Sequence, residues 1–289
     1  MVQVIGEIGG SSSRWAVLSG DGTVQTWPSK GERWPGFNPL SGDGAAFSAA
    51  LHDLITTGQP EALDAVAIHI YGAGCGSEER RLRMRTAIAG VWPDTAIQVE
   101  SDLMGAALGL CGKKSGLVLI LGTGMNAGHF DGERLHCPMP SLGYLLGDEA
   151  SGADIGRHLL QDAYYRRIPE DVSLRIFGEA PPALSLVLAR IHQAPHPARE
   201  LAAFTALLAP HLHEPYVRDL IQGRLHALAE LLTGFFRPEQ ITEVYATGSV
   251  AYGFRELLTE TLLDRGMTLN VVEPDPLLGL VAHHRQQGL

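Results

Sequence analysis

A chain of 289 residues, 45% of them hydrophobic and 19% charged, is long enough to bury two domain-sized cores and too apolar to be disordered. Its 22 Lys and Arg against 32 Asp and Glu leave a formal charge of −10, which repels a phosphate backbone and argues against a nucleic-acid partner. Cys75, Cys111 and Cys137 are scattered and lack CxxC spacing, which excludes a disulfide framework and a zinc ribbon and fits a reducing cytoplasm.

The opening MVQVIGEIGG has no basic leader, and no apolar run reaches the roughly 20 residues of a membrane helix, so a cytoplasmic protein without a membrane partner is expected. Residues 2–8 form a β-type run. The turn GGSSS follows, then runs at 14–18 and 23–27 joined by Ser19-Gly20-Asp21-Gly22, which predicts three strands linked by tight turns. A Pro/Gly/Ser-rich loop over 28–42 leads to a helix at 43–57, a strand at 65–71, a charged helix at 77–91 and a strand at 97–100.

The same order then returns. Residues 116–121 form an apolar strand, GTGMN its turn, and 127–130 and 134–137 two further strands around Asp131-Gly132. A Leu/Ala-rich helical insert covers 151–236, and the pattern closes with a strand at 243–246, a helix at 250–265, a strand at 268–272 and a helix at 276–284. The expected fold is α/β, two ribonuclease-H-like (actin-like ATPase) domains built as a duplicated βββαβαβα, with helices inserted in the second. The expected domains are 1–114 and 115–274, with segment 275–289 free to pack back on the first.

The turn Glu7-Ile8-Gly9-Gly10-Ser11-Ser12-Ser13 offers backbone N–H groups without bulky side chains, three hydroxyls and a carboxylate at its mouth. Such a turn can wrap phosphate oxygens while the acid holds a hydrated metal. Gly122-Thr123-Gly124-Met125-Asn126 repeats that backbone chemistry. Each alone is more often a plain hairpin turn; one per domain, facing each other across a cleft, points to a nucleoside triphosphate. Asp102 follows a predicted strand and opens an apolar helix, so it is either a helix cap or a general base at the carboxyl end of the sheet. Asp148 and Glu149 precede a helix, where they favour its dipole or, between the glycines of LGDEASG, bind a ligand. The pairs His192/His196, His211/His213 and His283/His284 lack metal-site partners and are expected at the surface. Gly72-Ala73-Gly74-Cys75-Gly76 lacks the spacing of a dinucleotide fingerprint; Cys75 is expected to be a small packing residue.

Across nearly its whole length the chain resembles the BadF/BadG/BcrA/BcrD-type ATPases, and among them the N-acetylglucosamine kinase branch of the sugar kinase, heat-shock ATPase and actin superfamily. The resemblance runs through EIGGSSSRW (7–15), GFNP (36–39), YGAGC (71–75), SDLMGAALGLCG (101–112), LILGTGMN (119–126), LGYLLGDEASGADIG (142–156), ATGSVAYGF (246–254) and DPLLGLVAHH (275–284). It implies Asp102 as catalytic base; Asn38, Gly72, Gly74, Asp148 and Glu149 around the sugar; Gly9, Gly10, Ser11, Ser12, Ser13, Gly122, Thr123 and Gly124 on the phosphates of ATP; Gly248 and Ser249 on the adenosine side; and Glu7 on Mg²⁺. It further implies phosphorylation of an amino sugar, N-acetylglucosamine at O6, by an enzyme compatible with a homodimer. An ATP-hydrolysing activator and a sugar-binding pseudokinase are the alternatives. Two positions depart from the family pattern: Glu7 stands where aspartate is usual, and Met125 where GTGSN has serine. Mg²⁺ demands near-octahedral geometry, so the extra methylene of Glu7 must be absorbed by backbone or a bridging water.

Overall fold

Alternation in VQVIGEI sends Val4 and Ile8 to one face of a strand and Ile5 to the other, and both faces are covered. In the computed structural model, which describes residues 2–29 and 32–287, this is β1 (Val2–Ile8). Lys30 and Gly31 of the predicted 28–42 loop, and positions 1, 288 and 289, lie outside the described residues. By internal contacts the chain divides into two units, Met1–Lys113 with Asp275–Leu289, and Lys114–Pro274.

In the first unit, β2 (Ser13–Ser19), β3 (Val24–Trp27), β4 (Ala67–Gly72) and β5 (Ala96–Ser101) join β1 in the order β3-β2-β1-β4-β5. The pairs β1–β2 and β2–β3 are antiparallel; β1–β4 and β4–β5 are parallel. Helices α1 (Gly44–Gly58) and α2 (Glu78–Ala89) bury Phe47, Leu51, Ile55, Met84 and Ile88 against Val4, Ile8, Trp15 and Ile70. Helix α3 (Asp102–Leu110) follows β5 directly.

The second unit repeats the wiring. Strands β6 (Gly116–Leu121), β7 (Met125–Phe130), β8 (Leu135–His136), β9 (Glu243–Thr247) and β10 (Thr268–Glu273) take the order β10-β9-β6-β7-β8, which read from β8 is the order of the first sheet. Between β8 and β9 lie α4 (Gly143–Leu146), α5 (Gly152–Tyr164), α6 (Glu170–Phe177), α7 (Leu184–Gln193), α8 (Pro197–Thr205), α9 (Pro215–Phe235) and α10 (Pro238–Ile241). The predicted helix at 250–265 is two, α11 (Ser249–Gly253) and α12 (Arg255–Leu263), because the chain leaves helical geometry at buried Phe254. Met125 and Asn126, expected in the turn, already belong to β7.

The last helix, α13 (Leu277–Gln286), belongs to the first unit and covers the second face of its sheet, where Leu277, Leu280 and Val281 meet Ile5, Ala16, Leu18 and Tyr71. It crosses α3 at two glycines: a Cβ on Gly279 would overlap the Gly109 carbonyl oxygen and stand 2.6 Å from its carbon. His284, expected at the surface, is buried; its Nε2 is 2.9 Å from the Tyr71 hydroxyl, and burial and the neighbouring His69 and His283 lower its pKa to about 4.

Candidate active site

The first glycine turn is shaped by its own backbone. Gly9 N–H donates to Ser12 C=O at 2.9 Å, so it closes the turn and is not a phosphate donor. Gly9 C=O accepts Phe37 N–H at 3.1 Å, and Gly36 lies so close that a Cβ there would overlap the Gly9 oxygen and the Ser12 nitrogen. This is why the GFNP segment needs its glycine. Gly10, Ser11 and Ser12 remain in the turn. Ser13 does not: it is buried in β2, where its hydroxyl donates to Pro35 C=O at 2.7 Å and accepts Trp15 Nε1–H at 2.8 Å, so it is removed from the phosphate-binding set.

Asn38 stands 4.0 Å by its Cβ from the Cβ position of Gly10, and its side-chain amide packs on Gly74, whose φ of +76° suits glycine. Its Oδ1 accepts Leu40 N–H at 2.9 Å. Gly72 is buried beneath Met84 and Cys75, and its missing side chain serves that packing. Cys75 is fully buried, and burial, with the charge of Asp102, pushes its thiol up to about 12, the inert packing residue expected.

Asp102 is not the cap of α3. Ser101 is, accepting Met104 N–H on its hydroxyl at 3.1 Å, while Asp102 is the first helical residue and takes Leu103 N–H on Oδ1 at 2.8 Å. Burial pushes its carboxyl up to about 6 against that hydrogen bond. Glu7, paired in register with Arg14 on β2 and Tyr71 on β4, is pushed up to about 8 by burial and then by the charges of Asp275 and Asp102, with Arg14 opposing. Asp275 was missed by sequence reasoning. It binds Arg14 Nε at 3.1 Å and accepts Leu277 N–H at the start of α13. Only its place in a helix-opening Asp-Pro pair was legible.

Among the described residues no group of three or more His, Cys, Asp or Glu is arranged to hold a metal ion, so these acids form no closed cage. They do fit a partly hydrated Mg²⁺, which takes one or two carboxylates and completes its shell with water and phosphate oxygens. Glu7, whose proton affinity the charges of Asp275 and Asp102 help to raise, is also relieved by a divalent charge.

In the second unit Gly122 N–H closes its own turn onto Gly124 C=O at 3.0 Å and is likewise no phosphate donor. Gly152 and Ala153 N–H donate to the carbonyls of Gly122 and Thr123 at 2.8 and 3.1 Å, tying the turn to the start of α5. The Asp148 carboxylate abuts Gly124, 2.9 Å from its Cβ position, and accepts Met125 N–H. Burial pushes it up to about 6, with that bond opposing and Glu149 and Asp154 adding to the rise. The Met125 side chain is buried in the core of the unit, so the departure at this position faces the core rather than a phosphate. Gly248, at φ +110°, approaches Leu121 C=O, and its N–H donates to Glu273 C=O at 3.1 Å; Ser249 opens α11 and is exposed. Glu149 is half-buried beside Gly147. No helix among the described residues is long and apolar enough to cross a membrane.

No protein-family model matches the chain, and no curated protein matches it. Among solved structures, a candidate N-acetylglucosamine kinase from Porphyromonas gingivalis is 30% identical over 99% of both chains, with a TM-score of 0.84. A candidate N-acetylglucosamine kinase from Chromobacterium violaceum, 21% identical over 98% of both chains, has a TM-score of 0.67. A ROK-family glucokinase from Streptomyces griseus, in complex with glucose and AMPPNP, is 15% identical over the full length of both chains and superimposes with a TM-score of 0.60. The last two are similar in fold alone.

Proposed function

The chain belongs to the sugar kinases of the actin-like fold, the family of its Porphyromonas gingivalis relative, and we propose that it transfers the γ-phosphoryl group of ATP to an amino sugar, N-acetylglucosamine at O6. The observation that carries this reading is Asp102: a carboxylate at the start of α3, tuned by burial to about 6, in the same electrostatic neighbourhood as Glu7 at the first glycine turn. A base with that affinity is ionised at neutral pH and still strong enough to accept a proton from an attacking hydroxyl.

The roles divide by residue. Asp102 accepts the O6 proton as the hydroxyl oxygen attacks the γ-phosphorus, and ADP leaves. Asn38, Gly74, Asp148 and Glu149 orient the acceptor. Gly10, Ser11 and Ser12 of the first turn and Thr123 and Gly124 of the second cradle phosphoryl oxygens, and Gly248 and Ser249 lie on the adenosine side. Glu7 would hold a partly hydrated Mg²⁺, with the charge of Asp275 beside it. When bound, Mg²⁺ supplies charge neutralisation for the β- and γ-phosphoryl oxygens. Catalysis of this kind rests on position and electrostatics.

The test is ATP consumption measured across hexoses, amino sugars and N-acetyl amino sugars. Turnover that requires an N-acetyl amino sugar supports the reading. ATP hydrolysis indifferent to every sugar supports the activator alternative, and sugar binding without ATP consumption supports the pseudokinase.

A further inference from the structure

The mechanism leaves one buried acid without a task. Asp154, the third residue of α5, is 2% exposed and has four polar partners. Its Oδ2 accepts Ala150 N–H at 3.0 Å and Arg224 Nε–H from α9 at 2.7 Å; its Oδ1 accepts Arg157 Nη2–H at 2.7 Å and lies 3.2 Å from His158 Nδ1. Burial alone would raise its proton affinity, but the hydrogen bonds of His158 and Arg224, the charge of Arg224 and the hydrogen bond of Arg157 hold the carboxyl below the usual range. Desolvating such a group is costly, and an apolar residue of similar size packs as well or better when stability alone is at stake.

The bond to Ala150 identifies what the charge does. Asp148 and Ala150 sit at φ +58° and +61°, the left-handed region that L-residues adopt at a cost. Ala150 has no polar side chain to offset this, and its methyl is fully buried. Its N–H is held by Asp154, and Ser151 closes the turn by donating N–H to Asp148 C=O at 3.0 Å while its hydroxyl accepts Asp154 N–H at 3.2 Å. The same short stretch is tied to the second glycine turn by the Gly152 and Ala153 N–H groups and by the Asp148 carboxylate on Met125 N–H. Arg224 then anchors the assembly to α9.

We propose that Asp154 is a positioning residue: it locks the strained turn at 147–151, so that the Asp148 carboxylate and the 122–124 turn form one rigid piece and acceptor and nucleotide binding are coupled through it. The substrates named here rest on the kinase reading above; the mechanical coupling does not.

The experiment compares Asp154→Asn with the double variant Asp154→Asn/Ala150→Gly, with Ala150→Gly alone as its reference. Glycine adopts positive φ without the side-chain penalty, so it supplies the conformation that loss of the carboxylate releases. Amide exchange is followed by mass spectrometry in peptides spanning 122–126 and 147–153, and KM for sugar and for ATP is measured alongside kcat. Asp154→Asn is expected to speed exchange in both segments by about tenfold, as when a local opening loses one strong hydrogen bond. It should raise both KM values by about tenfold with kcat changed far less, and the added glycine should return both readouts toward the reference. If the variant does not fold, Arg224→Gln, which frees Asp154 from α9, carries the same exchange measurement and the same expectation in smaller degree. Unchanged exchange at 122–126 in the folded variant overturns the proposal, and so does a fall in kcat with both KM values intact and no glycine rescue, which is the mark of a purely structural residue. A wild-type protein inactive on every sugar, but with the expected exchange pattern, refutes the kinase reading and leaves the coupling standing.

Discussion

Gly279→Ala is the sharpest probe of how the C-terminal helix supports the proposed base. In an α-helix this substitution ordinarily stabilises by about 0.8–1 kcal/mol. Here the new methyl would sit 2.6 Å from the Gly109 carbonyl carbon and 2.8 Å from its Cα, against an ordinary carbon–carbon contact of about 3.5–4.0 Å. Both atoms are backbone of α3, so no rotamer change relieves the overlap, and α13 must back away by about 1 Å. Leu277, Leu280 and Val281 would then lose contact with Ile5, Ala16, Leu18 and Tyr71. Overpacking of this kind typically costs about 1–3 kcal/mol, and more against rigid backbone. The net expectation is a loss of about 1–2 kcal/mol after the propensity gain, or an apparent Tm lowered by roughly 3–8 °C. Asp102 begins α3 and Asp275 precedes α13, so kcat should fall as well. Thermal melts and initial rates for Gly279→Ala are to be compared with Gly223→Ala, in mid-α9 with nothing within 4 Å of its Cβ position, which should raise Tm by the ordinary propensity gain. If the alanine at 279 melts at or above wild type while that at 223 behaves as expected, the close crossing of α3 and α13 is refuted.

Asp102→Asn should cut sugar phosphorylation by about two to four orders of magnitude while calorimetry finds ATP binding nearly intact; in the native enzyme kcat/KM should fall about tenfold per pH unit below about 6, where the base becomes protonated, and a rate flat to pH 4.5 removes Asp102 from proton transfer. Asp148→Ala should weaken sugar binding by about 1.5–3 kcal/mol for each lost charged hydrogen bond and ATP binding less, through the slackened Gly124–Met125 turn; untouched sugar affinity contradicts its role. Because Glu7 has a folded-state affinity of about 8 against an ordinary 4.5, the folded protein holds a proton that the unfolded chain releases in that window, and metal-free protein should lose stability as pH rises through it. Glu7→Gln should flatten this slope in melts with chelator and raise the Mg²⁺ needed for half-maximal rate, whereas Glu7→Asp should shift that requirement by moving the carboxylate about 1.5 Å. A Glu7→Gln protein matching wild type in both measurements would take Glu7 out of metal binding.

Much of the architecture is written in short-range pattern. A β-type run at 2–8 and a continuous apolar run at 116–121, each followed by a glycine turn and two further strands, specify both sheets and their duplication, because such runs are local and survive without knowledge of partners. Asp102 ahead of an apolar run marked the start of α3, although the residue that caps the helix is its neighbour Ser101. The candidate site was legible as residue types at turns, but its electrostatics were not. Glu7 becomes a proton-holding acid because the fold buries it and, second, because the chain returns from its far end with Asp275, and Arg224 reaches Asp154 across 70 residues. The positive φ values at Asp148 and Ala150 were equally hidden, since alanine does not announce a left-handed backbone and the buried carboxylate that holds Ala150 N–H lies four residues on. Periodicity and turn chemistry are properties of neighbours along the chain, whereas a carboxylate's affinity for a proton, the closeness of two glycines in crossing helices and the strain in a turn are set by groups that only the tertiary fold brings together.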